Sequence, residues 1–390
     1  MKSITFSVLA AAVLALGWAG STTLSKNDPV SIAVQKGAQW LISTQGKDGG
    51  WGQDGGETSY VRPGERLESS GNDVANTAVA ATALLHAGST PTHGEYQAAL
   101  VRAVDFILRR VDESPAEGLE VTSLRGTQIQ RKLGPCIDTF LTSKLLAELD
   151  GEMGNARANA HVRQALQKCV AKIEKNQLKD GSWNIAGGWA PILGTSMASR
   201  SLYVAQQKGV AVSAGTMAKV QDYTANQAQA GAVAGAASSP GAASSPGAAS
   251  SPGAASSMVV VSAGVPLYQD AQALEQLSRT EKDRKENAPR IKAMTGRLAN
   301  PQHVMGFGSF GGEEFFSYLN ISDSLHRTGG EEWEKWNGEI KAKLLKLQNE
   351  DGTWAGHHCI TGRVAVTSAA ILVMLVDREP ILASSVTKKN

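Results

Sequence analysis

A single pattern, Gln-x-x-Asp-Gly-x-Trp, occurs three times in this chain of 390 residues, and its internal spacing never changes. The copies occupy residues 45–51, 177–183 and 348–354, and an apolar residue stands four positions before each Gln. A short pattern that recurs far apart in a chain marks one supersecondary unit used repeatedly. The repeat therefore constrains the architecture more than any other feature of the sequence.

Each copy is predicted to lock a corner between two helices. Apolar residues at helical spacing, such as Val170 and Ile173, precede the Gln, so a helix leads into the motif. The Gly ends that helix because it takes the left-handed conformation that closes a helix end. The Gln amide can reach backbone groups at a neighbouring helix end, and the Trp covers the end of the first helix. These features favour a packing role over a catalytic one.

The first copy is the most complete, because residues 36–41 read Lys-Gly-Ala-Gln-Trp-Leu before Gln45 and residues 49–51 read Gly-Gly-Trp. This arrangement resembles the QW motif of the squalene cyclase and protein prenyltransferase repeat superfamily. The other copies keep the second half of the motif but carry Lys172 and Lys343 where that superfamily has an aromatic residue. The resemblance covers most of the mature chain and implies an α/α toroid.

Helical periodicity runs through the chain, and strand signals are almost absent. It predicts an all-α fold of about six helix pairs, each an outer helix followed by an inner one. The inner helices are rich in small residues, as in residues 73–80 and 364–370, whereas the outer helices carry the charges. This alternation favours a closed double ring, the α/α toroid. The predicted pairs are 31–45 with 73–88, 96–111 with 134–150, 155–177 with 190–208, 213–229 with 264–279, 282–298 with 311–327 and 331–348 with 359–378.

Residues 1–20 are predicted to be a signal peptide. Lys2 precedes a short apolar stretch at residues 6–16 and then small residues, which is the composition of a secretory signal. We therefore expect a periplasmic or secreted protein. The apolar stretch is too short to cross a bilayer, and no later stretch is long and apolar enough, so no membrane span is predicted.

A single toroid domain is predicted over residues 28–380, with an insertion at about 230–258. In the insertion, Gly-Ala-Ala-Ser-Ser-Pro repeats three times in succession. Such a tract cannot bury enough apolar area to order itself, so it is predicted to be a flexible, disordered loop.

The charge balance argues against a nucleic-acid partner. The chain has 38 basic and 36 acidic residues, a formal net charge of +2, and no basic stripe. Proteins that bind nucleic acid gather positive charge on one face. The expected partner is instead a small or lipid-like molecule in the cavity between the inner helices.

The sharpest cluster of metal-ligand residues follows the third repeat directly. His357, His358 and Cys359 precede the last inner helix, and Cys136 and Asp138 begin the second one. In a closed ring these helix ends share one rim, and imidazole, thiolate and carboxylate are zinc ligands. A helix N-terminus also favours the thiolate form of Cys. The sequence thus offers a zinc (Zn²⁺) site, with a Cys136–Cys359 disulfide or simple helix capping as the alternatives.

Four further residues are candidates for acid, base or cavity-facing roles. Asp73 opens the first inner helix, and Glu313 and Glu314 follow a Gly-rich turn before Tyr318. A pocket can raise a carboxyl pKa into the range useful for proton transfer. The alternative for the paired Glu residues is an ordinary interaction with the helix dipole.

The resemblance does not carry over the chemistry of the families that it names. Protein prenyltransferases hold zinc with an Asp two residues before a Cys, whereas here Asp138 follows Cys136. Lanthionine cyclases use adjacent Cys and His, but here the order is His358-Cys359. The Asp-x-Asp-Asp acid motif of the squalene and hopene cyclases is absent from the sequence, as is the Asp-Asp-x-x-Asp motif for diphosphate.

The sequence therefore predicts an exported toroid that binds a small or lipid-like ligand in a central cavity, with zinc as a candidate cofactor. One alternative is a non-catalytic binding or scaffold module. Another is a polysaccharide lyase or glycoside hydrolase on a similar double ring, which needs an aromatic-lined cleft. Aromatic residues make up 5% of the chain, which disfavours the last alternative.

Overall fold

The computed structural model describes residues 28–54, 71–185, 191–237, 265–306 and 311–378. The predicted signal peptide, residues 1–20, lies outside the described residues. The helices of the described residues are α1 Pro29–Ser43, α2 Val74–His86, α3 Gln97–Glu113, α4 Gln128–Leu133, α5 Ile137–Leu149, α6 Ala156–Lys175, α7 Pro191–Gln207, α8 Ala214–Ala237, α9 Val265–Leu277, α10 Glu281–Glu286, α11 Ala288–Leu298, α12 Pro301–Val304, α13 Gly312–Thr328, α14 Glu331–Leu347 and α15 Arg363–Leu375, followed by a 3-10 turn, Val376–Arg378.

Six of these helices form a closed inner ring. In chain order they are α2, α5, α7, α9, α13 and α15; each packs against the next, and α15 packs against α2. Helices α1, α3, α6, α8, α11 and α14 pack on the outside of this ring. The predicted α/α toroid of six helix pairs is confirmed.

The inner helices α2 and α15 are rich in small side chains and are buried on every side. Helix α2 is buried from Val74 to Leu85, and α15 is buried from Val364 to Leu375. A helix that is apolar all round belongs inside a protein core. Several helices begin at a side-chain cap: Asp28, Asp73 and Asn155 each accept a hydrogen bond from the backbone N–H three residues later.

The three Gln side chains of the repeat make the same two hydrogen bonds. Each donates to the carbonyl of its own repeat Gly and to a carbonyl near the start of the next outer helix. The second acceptors are Ala99 in α3, Thr216 in α8 and Ala33 in α1, at 2.9, 3.0 and 2.9 Å. The third of these bonds joins the last helix pair to the first, so Gln348 helps to close the ring.

Each repeat Trp is tied to the helix that precedes it. The indole Nε1 of Trp51, Trp183 and Trp354 donates to the carbonyl four residues before the repeat Gln, at 2.7 Å in every copy. The Gly of each copy has a positive φ, 92°, 90° or 87°, but it lies in the turn after the helix, which ends at Ser43, Lys175 or Leu347. The prediction that this Gly ends the helix is therefore corrected: it shapes the turn in which the Trp folds back onto the helix. The backbone N–H of each Trp donates to a Thr hydroxyl of an inner helix: Thr77, Thr195 or Thr367.

A short helix that the periodicity did not predict, α4, lies at the N-terminal ends of the inner helices. It contacts α2, α5 and α7. At its start, Gln128 forms hydrogen bonds with Thr361 and Gly362, which immediately precede α15. Helix α4 thus lies over the N-terminal ends of α2, α5 and α7 and is tied to the loop before α15.

Two further predictions concern the insertion at about 230–258 and membrane-spanning helices. Helix α8 runs to Ala237, so the first residues of the predicted 230–258 insertion are helical, and residues 238–264 lie outside the described residues. Within the described ranges, no helix combines the length and the apolar character needed to cross a bilayer.

Candidate functional site

The N-terminal ends of the inner helices bring most of the predicted site residues to one rim. This follows from the ring order, because α13, α15, α2 and α5 are consecutive inner helices. The rim residues are Asp73 at the start of α2, Cys136 and Asp138 at the start of α5, Glu313 and Glu314 in the first turn of α13, and His358 and Cys359 before α15.

Glu313, His358 and Cys359 are the group of three metal-ligand side chains that converge within the described part of the chain. Their ligand atoms all lie within 4.8 Å of one another, and His358 Nδ1 is 3.6 Å from Glu313 Oε1. The Glu313 side chain is 0% exposed, whereas that of His358 is 25% exposed. The cluster therefore has a buried carboxylate on one side and an imidazole that solvent reaches on the other.

The loop that carries His358 and Cys359 is tied to the start of α13. The N–H of Gly312 donates to the carbonyl of His358 at 3.4 Å, and the N–H of Ile360 donates to Glu313 Oε2 at 3.4 Å. Among the described residues other than Gly, Cys359 is the one with a positive φ, 58°. Such a conformation is uncommon and persists where the surrounding structure imposes it. The third repeat and α13 together determine the position of the thiol.

These three residues fit a metal ion. Tetrahedral zinc with bonds of about 2.0–2.3 Å places its ligand atoms roughly 3.5 Å apart, so the group needs to contract by about 1 Å. Glu313 Oε1 is buried and makes no hydrogen bond of normal length among the described residues; its ion-pair contact there is His358 Nδ1, at 3.6 Å. A buried carboxylate oxygen in that state is costly unless a cation or a donor satisfies it. A bound cation would therefore stabilise the arrangement.

Glu314 and Tyr268 extend the cluster toward α9. Both residues are buried, and the Tyr268 hydroxyl donates to Glu314 Oε1 at 3.3 Å. Burial and the carboxylates of Glu313 and Glu314 raise the pKa of Tyr268 far above its ordinary value. The hydroxyl consequently stays protonated and serves as a hydrogen-bond donor. Tyr268 was not predicted as a site residue, because nothing in the α9 sequence shows that this helix lies beside α13.

Asp73 and Asp138 form a second acidic pair at the same rim. Asp73 caps α2 by accepting from the N–H of Asn76 at 2.8 Å, and Asp138 accepts from the N–H of Ala75 at 3.1 Å. Burial, together with the neighbouring Asp138, raises the pKa of Asp73 to about 7. Burial raises the pKa of Asp138 to about 6, although its bond from Gln130 opposes the shift. Both carboxyls are thus able to hold a proton near neutral pH.

A rise in pH from about 4 to about 7 is expected to destabilise the fold through this pair. Both folded-state pKa values lie above the ordinary 3.8, so across this window the folded protein keeps protons that the unfolded chain releases. The contribution to stability is full below pH 4 and lost by pH 7 to 8. Asp73→Asn preserves the cap. The substitution is expected to reduce the loss of unfolding free energy between pH 4 and pH 7 by about 2–4 kcal/mol.

Urea unfolding of the Asp73→Asn variant and of the wild type at several pH values measures that difference. Asp222→Asn, an exposed carboxyl on α8, is the matched control and is expected to leave the slope unchanged. If the unfolding free energy of Asp73→Asn and that of the wild type change equally with pH, Asp73 is not the source of the pH dependence.

Three predicted metal ligands lie outside the Glu313 cluster. Cys136 begins α5, which α2 separates from α15, and burial with the nearby carboxylates of Glu120 and Asp138 raises the pKa of its thiol to about 12. The expected thiolate at this helix start is therefore not favoured. Asp138 is engaged by α2 and α4, and His357 is exposed. Neither Cys136 nor Cys359 forms a disulfide, so the alternative bridge is absent.

Tyr318 faces away from the lumen of the ring. Its hydroxyl donates to the carbonyl of Val304 at 2.9 Å, and its ring packs against Trp336 of the outer helix α14. Burial and the neighbouring Glu314 raise its pKa well above the ordinary range. The prediction that Tyr318 faces the cavity is corrected, because its position on α13 turns it toward the outer layer.

A small cavity of about 30 Å³ lies in the centre of the ring. It has room for about two water molecules, far less than the several hundred Å³ of a typical ligand pocket. Its wall is mostly apolar with two cations, and its ten lining residues include no carboxylate, so they lack the pair of acids used in glycoside hydrolysis. The lining residues are Val79, Thr82, Phe140, Lys144, Met197, Arg200, Phe316, Leu319, Asn320 and Leu372.

Buried ion pairs stand beside this cavity, toward the C-terminal ends of the inner helices. Arg200 pairs with Asp323, and its Nη1 donates to Asn320 Oδ1 at 3.3 Å. Glu275 of α9 pairs with Arg279, which lies in the turn just after that helix. Sequence analysis missed this network, although the i, i+4 spacing of Glu275 and Arg279 on a predicted inner helix was a usable signal.

The ring, its repeats and its rim define a toroid with a squalene-cyclase-like fold. A variant of the type II terpene cyclase MstE from Scytonema, solved with its substrate geranylgeranyl dihydroxybenzoate, matches with a TM-score of 0.52 at 13% identity, over 90% of this chain and 98% of that one. A second variant, solved with the product merosterolic acid A, gives 0.52 at 12% identity over the same shares.

At these identities the likeness shows the fold alone. It confirms the predicted α/α toroid and its likeness to the squalene cyclases. No family model and no curated protein matches the sequence. The chemistry of the site must therefore be argued from this chain's own residues.

Proposed function

We propose that this protein is an exported ligand-binding toroid with a zinc site at the N-terminal mouth of its ring. Glu313, His358 and Cys359 would hold the metal, and a small or lipid-like ligand would occupy the lumen below it. The observation that carries the proposal is the convergence of a buried carboxylate, an imidazole and a thiol from two adjacent inner-helix starts.

Three protein ligands leave a fourth position at zinc for water or for a group of the ligand, where the ion supplies Lewis acidity. The chain's own residues complete the surroundings. Tyr268 keeps its proton and offers it to Glu314, which fixes the orientation of that carboxylate. Below the rim, the lumen is lined mostly by apolar side chains.

The lipid-like character of the ligand is supported by two observations. The walls of the central cavity are mostly apolar, with Lys144 and Arg200 as the cations. The MstE structures of the same fold hold an isoprenoid substrate and its product. Export follows from the signal peptide predicted at residues 1–20 and is part of the proposal.

A non-catalytic binding or scaffold module is the second candidate. The small volume of the central cavity, about 30 Å³, favours it. In that case the ring would serve as a rigid platform, and the metal would have a structural role at the closure of the ring.

The wild-type protein is expected to bind one zinc ion per chain, as measured by native mass spectrometry and elemental analysis under reducing conditions. Glu313→Gln, His358→Ala and Cys359→Ser are each expected to weaken binding about a hundredfold or more, because each removes a direct ligand. With cobalt in place of zinc, loss of the thiolate-to-metal absorption in Cys359→Ser would identify the sulfur ligand.

Two matched controls test the specificity of this assignment. His357→Ala removes the exposed neighbouring imidazole, and Cys136→Ser removes the other thiol of the rim; both are expected to keep full zinc binding. A wild-type protein without zinc affinity, or ligand variants that bind like these controls, would overturn the metal site. A search for a co-purified apolar compound in the same spectra separates the ligand-binding proposal from the scaffold alternative.

A further inference from the structure

Helix α4 lies over one side of the N-terminal mouth of the ring, where it contacts α2, α5 and α7. Leu133 at its C-terminal end packs so closely on α7 that a Cβ at Gly194 would clash with the Leu133 carbonyl oxygen. Gln128 at the other end contacts the loop before α15. The helix therefore joins the N-terminal ends of four consecutive members of the inner ring.

One side chain holds the far end of α4 in place. Gln128 Nε2 donates to Thr361 Oγ1 at 2.9 Å, and Gln128 Oε1 accepts from the N–H groups of Thr361 and Gly362, each at 3.0 Å. These residues are more than 230 positions away in the sequence, and the Gln128 side chain is buried. We call this set of three hydrogen bonds the latch. It joins α4 to the loop that also carries Cys359.

The two ends of the α4 segment are suited to bending. Gly126 precedes the Thr127 cap with a φ of 76°, and Gly134 follows the helix with a φ of 115°. Glycine changes between such conformations at little cost, which is the property of hinge positions. A capping box at Thr127 and Gln130 keeps the helix itself intact between them.

Within the part of the ring that the structure describes, the central cavity below α4 holds about two waters, which is too small for a ligand of lipid size. Ile129 and Leu133 of α4 are buried, so the helix covers its side of the mouth with apolar side chains. A ligand that enters from this end must displace them.

We propose that α4 is a lid, latched by Gln128 to Thr361 and Gly362 and hinged at Gly126 and Gly134, which controls access to the lumen. The proposal rests on the ligand-binding function proposed above and adds its regulation. The latch also couples the lid to the metal loop, since Thr361 lies two residues after Cys359.

Hydrogen exchange tests the lid without any ligand. The amides of residues 128–133 are expected to exchange together, and faster than those of α2 and α5, because a lid opens as a unit. Gln128→Ala is expected to accelerate this exchange about tenfold by removing the latch. Gln128→Met, which keeps the side-chain length but not the hydrogen bonds, is expected to act alike, and Gln164→Ala on the exposed face of α6 is the control.

Entry of an apolar probe tests the consequence. With all-trans-retinol followed by stopped-flow fluorescence, Gln128→Ala is expected to raise the association rate about tenfold and to lower Kd by a similar factor, because the latched form has no room for the probe. A change in Kd with unaltered association would indicate a structural effect instead.

The possible failures are distinguishable. If neither protein binds retinol, the ligand-binding proposal is contradicted, and the exchange data still decide whether α4 opens. The lid is overturned by either of two results. In the first, the amides of α4 exchange no faster than those of α2 and α5. In the second, the exchange rates of residues 128–133 in both Gln128 variants equal those in Gln164→Ala. In either case α4 is a fixed part of the fold.

Discussion

Replacement of Trp354 by Ala is expected to lower the free energy of unfolding by about 3–5 kcal/mol, because it opens a large cavity in a fully buried site. The indole is 0% exposed and donates to the Leu344 carbonyl at 2.7 Å. It also packs against Gly37 of α1. The substitution therefore removes packing contacts between the last helix pair and the first. Chemical unfolding followed by circular dichroism measures this change.

Two further substitutions separate the components of this effect. Trp354→Phe keeps most of the ring but loses the N–H donor, and is expected to cost about 1–2 kcal/mol. Trp40→Ala is the matched control: this Trp is partly exposed, with the Arg363 guanidinium 5.0 Å from its ring centroid, and is expected to cost about 1 kcal/mol. Equal losses for Trp354→Ala and Trp40→Ala would contradict the role of the repeat in ring closure.

The Trp354→Ala variant also tests the link between the repeat and the metal site. His358 and Cys359 follow Trp354 within five residues, so a disordered corner is expected to weaken zinc binding even though no ligand has changed. Zinc titration of the variant under conditions in which it remains folded gives this comparison.

Glu275→Leu is expected to destabilise the protein by about 3–5 kcal/mol, because it leaves buried arginines without their counter-charge. Glu275 is 1% exposed; Arg279 donates to its two oxygens at 3.1 and 2.6 Å, and Arg327 lies 3.5 Å away. Burial alone raises the pKa of Glu275, but Arg279 and Arg327 outweigh burial and hold it below its ordinary value.

The sign of the pH dependence follows from that lowered pKa. Stability from Glu275 is fully present above the ordinary Glu value of 4.5 and is lost as the pH falls through the lower folded-state value. The difference in unfolding free energy between Glu275→Leu and the wild type should therefore become small at acid pH. Unfolding at pH 7 and at pH 3 measures the two limits.

A double variant and an exposed control complete this test. Glu275→Leu with Arg279→Leu is expected to recover part of the loss, because one of the unpaired charges is removed. Glu281→Ala breaks a fully exposed pair with Lys285 and is expected to leave stability unchanged. A Glu275→Leu variant as stable as Glu281→Ala would show that the buried pairs contribute nothing.

Much of the fold was predictable because its signals are local. The six helix pairs follow from apolar periodicity, and the three corners follow from a motif whose Gln, Gly and Trp act within a few residues of one another. Helix α4 was missed because six residues are too few to show a period. Its position depends on the bond from Gln128 to Thr361, which no local pattern contains.

The site was only partly predictable for the same reason. The pairing of His358 and Cys359 was visible because they are adjacent and follow a repeat. Glu313 was expected to act as an acid, but its place beside His358 depends on the packing of α13 against α15. Cys136 was expected to join the site, but α2 stands between its helix and α15.

The sequence by itself determined that this chain is a ring of helix pairs closed by three identical corners, because helix period and corner chemistry are encoded within short windows. The tertiary structure decided which polar groups meet across the ring: Glu313 with His358 and Cys359, Asp73 with Asp138, and Gln128 with Thr361. These contacts join residues that are far apart in the chain, and ring order and burial, rather than spacing in the sequence, bring them together.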